Sequence, residues 1–79
     1  MIGPNAMIVE LAKDHWFYEV ERYPYTTKCY YRWGPFETLV LAQNHMRANY
    51  HVDGLTVFNL SAVNDKVKRR FVNSQKPTK

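Results

Sequence analysis

Few side chains in this chain have the chemistry for catalysis or metal binding. The candidates are His15, His45, His51, Cys29 and Asp53. His45 and His51 miss the i, i+4 spacing that would set two imidazoles on one helix face for zinc, and no second cysteine stands near Cys29. A Cys29–His nucleophilic pair would need an exposed thiolate in electropositive surroundings, whereas Cys29 falls in a strand pattern that turns it toward the core, where thiols are inert. No serine sits in a Gly-x-Ser-x-Gly setting, and 3 glycines cannot build a phosphate-cradling loop. The expectation is a protein with no catalytic residue, no metal site and no cofactor.

Rings and cations are the richer resource. Aromatic residues make up 15% of the chain, and Tyr, Trp and Arg are the usual anchors of protein interfaces. Tyr18, Tyr23, Tyr25, Tyr30, Arg32 and Trp33 are therefore the candidate contacts for a protein partner. Lys66, Lys68, Arg69 and Arg70 form a second candidate set, a basic run able to neutralise several phosphates. An open sheet carrying Phe17, Tyr30 and Arg32 would also resemble the surfaces on which RNA-binding folds stack bases. Glu19 and Glu21 on the same face would repel phosphate. The bland readings are aromatic core pairs for the rings and a solvated, aggregation-resistant edge for the basic run.

Alternating residues position the rings. From His15 to Arg22, Trp16, Tyr18 and Val20 take one side of a strand, with Phe17, Glu19 and Glu21 on the other. Pro24 removes a ladder donor, so the strand turns there. Lys28 to Trp33 returns as an antiparallel strand, with Cys29, Tyr31 and Trp33 opposite Lys28, Tyr30 and Arg32. After Gly34-Pro35-Phe36 the period changes: Leu39, Ala42, Met46 and Tyr50 mark an amphipathic helix, with Thr38 or Glu37 at its start. Asp53-Gly54 closes the helical region. Leu55 to Leu60 is a third strand. Met7 to Leu11 reads equally as an edge strand or a turn of helix.

Residues 61–72 have two readings. Asn64-Asp65 could turn a hairpin returning through Val67, Arg69 and Phe71, or Val63, Val67 and Phe71 could form a short helix behind Ser61. The β-branched content favours the hairpin. The expected fold is a small α+β domain over residues 7–72: an antiparallel β-β-α-β sheet plus a C-terminal hairpin strand or short helix, with one helix on one face. Residues 1–6 read as a flexible leader and 73–79 as a disordered basic tail.

Cys29-Tyr30-Tyr31-Arg32-Trp33-Gly34-Pro35-Phe36, followed by Ala42 and preceded by Trp16-Phe17-Tyr18-Glu19-Val20, resembles a family of small cyanobacterial domains of unknown function. Some of those domains accompany phycobilisome linker modules. A looser likeness is to the sporulation-related repeat, a peptidoglycan-binding fold that also has a Gly-Pro-Phe turn before its helix. The resemblance spans about thirty-five residues and implies a fold; it carries over no functional residue. The helix here lacks the acids usual in the first family, and no membrane anchor of the kind that holds sporulation-related repeats is evident.

Length and charge set the outer bounds. A chain of 79 residues has room for one core. The net charge of +4 is concentrated in Lys66, Lys68, Arg69, Arg70, Lys76 and Lys79. A single cysteine excludes an internal disulfide, and no apolar run is long enough to span a bilayer, so a cytoplasmic location is expected. Together these features suggest a non-enzymatic binding module that docks on a larger protein through an aromatic and arginine sheet surface. The alternatives are a binder of single-stranded nucleic acid or RNA, and a small phage or accessory regulator of a host protein. A homodimer is also compatible with the sequence.

Overall fold

The computed structural model describes residues 4–22 and 30–74, and the side chains of all of these except 70 and 72–74. The order of elements is β1 (Asn5–Ala12), β2 (His15–Glu21), β3 (Tyr30–Phe36), α1 (Leu39–Asn49), β4 (Gly54–Phe58) and α2 (Asp65–Ser74). They build a four-stranded sheet in the order β3-β2-β1-β4. The sheet is mixed, because β4 pairs parallel with β1 whereas β1–β2 and β2–β3 are antiparallel. The helix between β3 and β4 carries the chain from one edge of the sheet to the other. That crossover makes the last strand parallel and corrects the all-antiparallel expectation.

The ambiguous N-terminal run is the centre of the sheet. Strand β1 sits between β2 and β4, and both Ile8 and Val9 are fully buried, one on each face. A strand covered on both sides needs no polar alternation, which is why Met7-Ile8-Val9 shows none. The Lys13-Asp14 turn links it to β2, with Asp14 at φ 61°, a left-handed conformation that Asp tolerates. Glu10 braces this corner: one carboxylate oxygen accepts from the Asp14 amide and the other from the Leu60 amide.

Helix α1 covers one face. The Thr38 hydroxyl accepts from the Leu41 amide at 3.1 Å, as expected of an N-cap. Ala42 and Met46 bury against Ala6, Ile8, Tyr18 and Val20, with Phe36, Leu39 and Tyr50 at the margin. Each fully buried aliphatic side chain here contributes roughly 1.5–3 kcal/mol.

Part of the second face is covered as well, and by a helix. Residues 65–74 form α2, correcting the favoured hairpin and the expectation of one helix on one face. Alternation would have put Arg69 on the same side as Val67 and Phe71. Helical spacing instead turns Val63, Val67 and Phe71 onto Val9 and Phe17 while Arg69 stays in water. Asn64, not Ser61, caps the helix: its side-chain oxygen accepts from the Val67 amide at 2.9 Å.

Gly34 interrupts β3 opposite Phe17. Pairing runs Trp16 with Phe36 and Tyr18 with Trp33, so β3 has one extra residue and bulges there. Gly34 has φ 145°, and a Cβ at this position would overlap the Phe17 ring. The Gly34–Pro35 peptide bond is cis.

Candidate functional site

The two faces of β3 offer two different surfaces. On the α1 face, Tyr18 is fully buried and its hydroxyl lies 2.6 Å from His45 Nδ1. Burial pushes the Tyr18 hydroxyl well above its usual 10.0, and neighbouring Tyr50 adds to the rise. The His45 ring is flanked by Trp33 at 4.9 Å and Phe36 at 5.2 Å. These rings form the packed base of the surface.

Above that base the rings reach solvent. Tyr31 is 43% exposed and Trp33 46% exposed, on the strand that ends the described sheet. Neither ring is loose: the Trp33 indole N–H donates to the Tyr50 hydroxyl at 2.8 Å, and Tyr31 stacks on Tyr50 with centroids 5.3 Å apart. The Arg22 guanidinium lies 5.1 Å from the centre of the Tyr31 ring.

The opposite face of β3 is closed by ion pairing and by α2. Arg32 Nε donates to Glu19 Oε1 at 2.9 Å, and its guanidinium lies over Tyr30 at 5.0 Å and Phe71 at 5.6 Å. Glu19 is almost wholly buried, and a quarter of the Arg32 side chain remains accessible. Beside this cluster lies an open cleft of about 330 Å³, whose walls include Met7, Glu19, Glu21, Tyr30, Thr56 and Phe58.

The candidates for protein contact are therefore dispersed. Tyr18 is core, Tyr30 and Arg32 lie half-buried against the α2 face, and Trp33 is displayed with Tyr31 on the α1 face. Tyr23 and Tyr25 lie outside the described residues, as do Cys29 and the tail from residue 75. The sequence reading named Trp33 as a contact but left out Tyr31, which it set on the same side of the strand as Cys29 and Trp33, and it passed over Arg22 and Tyr50 as contacts. No local pattern marks the display of Tyr31 and Trp33.

Among the basic candidates, Lys66, Lys68 and Arg69 are exposed along α2, on the side away from Val67 and Phe71. Arg70 is in the helix backbone and its side chain is not described. Among the described residues, no group of His, Cys, Asp and Glu could hold a metal ion, and no helix is long and apolar enough to cross a membrane. His51 and Asp53 pair at 2.8 Å on the surface.

Comparison with protein-family models, curated proteins and solved structures finds no match for this chain.

Proposed function

We propose that the chain is a non-enzymatic binding module that docks on a larger protein or assembly through the Tyr31–Trp33 patch. The observation that carries this reading is the preorganisation of two large, nearly half-exposed rings by Tyr50. Exposing such rings to water forgoes hydrophobic stabilisation that a core position would provide. Rings already fixed in place lose little rotamer entropy on binding, so their desolvation is converted efficiently into affinity. Arg22 supplies a charged rim of the kind common around interface anchors.

The test compares three baits: the natural chain, a Tyr31→Ala/Trp33→Ala variant, and a Lys66→Glu/Lys68→Glu/Arg69→Glu variant, all verified as folded by circular dichroism. A partner retained by the natural chain and the α2 variant but lost by the ring variant supports the reading. Equal retention by all three refutes it.

A second reading rests on the exposed cations of α2. Lys66, Lys68 and Arg69 are compatible with contacts to the phosphates of single-stranded nucleic acid. Sheet aromatics would contribute little to it, because Phe17 lies beneath α2 and Tyr30 borders a cleft with Glu21. Binding that falls steeply between about 50 and 200 mM salt and disappears in the α2 variant would establish this reading. No binding to oligonucleotides at low salt would eliminate it.

A further inference from the structure

The two edges of the sheet are built differently. Edge strand β3 carries Arg32, a bulge at Gly34 and a proline at 35, all features that discourage pairing with another strand. Edge strand β4 reads Gly-Leu-Thr-Val-Phe, with no charge and no proline, and it runs in unbroken register along β1. Helix α1 packs over β1, β2 and β3, leaving Leu55 and Val57 of β4 37% and 43% exposed on the same face. Leu60 just beyond the strand is also exposed. Among the described residues, the outer side of β4 therefore combines backbone groups that no strand pairs with aliphatic side chains and none of the usual guards.

We propose that β4 pairs antiparallel with β4 of a second copy of this chain, about a two-fold axis through Thr56, joining the two sheets into one continuous sheet. The strand is complementary to its own reverse. In this register Leu55 faces Val57 of the second copy and Val57 faces its Leu55, giving two aliphatic cross-strand pairs on the α1 face. Thr56 faces Thr56, a pair able to exchange a hydroxyl hydrogen bond. Gly54 faces Phe58, placing a ring beside the glycine in the arrangement that repairs exposed edge glycines. At the strand ends Asp53 meets Asn59, so no like charges are opposed. A neutral strand also provides nothing to select a charged foreign strand, which favours a second copy over an unrelated partner.

Five residues per copy form a small contact compared with the roughly 800 Å² per partner of a standard interface. The dimer is accordingly weak and concentration-dependent. It leaves both Tyr31–Trp33 patches at the outer ends of the joined sheet, so the pairing and the docking reading can fail independently.

Sedimentation velocity of the full chain over a wide concentration range tests the association. Monomer converting to dimer as concentration rises, with Thr56→Lys weakening the dimer at least tenfold, is the expected result. Register is tested in a Cys29→Ser background under mild oxidant. Thr56→Cys should cross-link between copies, because residues on the two-fold axis lie within disulfide reach. Leu55→Cys should not, because residue 57 faces it. A chain that stays monomeric throughout, a dimer indifferent to Thr56→Lys, or equal cross-linking through residue 55 would overturn the proposal.

Discussion

Replacing Phe71 by alanine tests whether the second face of the sheet is closed by α2. Phe71 is fully buried, its ring centroid lies 6.4 Å from that of Phe17, and Arg32 sits 5.6 Å over it. Truncating a buried Phe typically costs about 3–5 kcal/mol. A domain of this length holds roughly 0.05–0.15 kcal/mol per residue, so the loss approaches the whole stability at the low end of that range. With each kcal/mol worth roughly 4–8 °C for a small domain, the melting temperature should fall by at least about 12 °C. Urea or thermal denaturation followed by circular dichroism measures the change. Were residues 66–72 instead a solvent-exposed hairpin strand at the sheet edge, the cost would stay below about 1 kcal/mol, as for ordinary surface changes. A loss that small would refute the packing of α2.

Other expectations follow from single contacts. Gly34→Ala should destabilise the fold by about 1–3 kcal/mol, because alanine resists the positive φ and its methyl meets Phe17; a denaturation midpoint unchanged from the natural chain would contradict the bulge geometry. Arg32→Ala should cost roughly 3 kcal/mol by removing the guanidinium 2.9 Å from buried Glu19, with partial recovery when Glu19→Gln is added; equal stability of the single and double variants would argue against the pair. The raised pKa of Tyr18 means that the folded state holds a proton the unfolded chain releases above its ordinary 10.0. Its contribution to stability is therefore full below pH 10 and is lost as pH climbs beyond it. Ultraviolet titration should find one tyrosine that ionises only with alkaline unfolding, and Tyr18→Phe should remove that step.

Strand β2 was legible although both of its faces are buried, because Glu19 and Glu21 mark one of them as polar and so preserve the alternation. Trp16, Tyr18 and Val20 alternate with Phe17, Glu19 and Glu21, and β2 and β3 pair as that pattern requires. Helix α1 and its Thr38 cap follow equally from the change to helical spacing. Strand β1 was obscured because burial on both faces erases alternation. Helix α2 was obscured because Val63, Val67 and Phe71 fit two periods at once, and only the uncovered Val9–Phe17 face selects between them. The display of Tyr31 and Trp33 depends on how far α1 reaches across the sheet, a tertiary property that no local pattern encodes. The same holds for Arg32, whose alternation places it on the right face but says nothing of its partners Glu19 and Phe71.

The docking account stands most directly on Trp33. Once a partner is isolated with the natural chain, titration calorimetry against Trp33→Ala should show a loss of about 2 kcal/mol or more, roughly 30-fold in affinity. An affinity within about twofold of the natural chain, with the variant folded, would contradict the claim that the Tyr31–Trp33 patch is the binding surface.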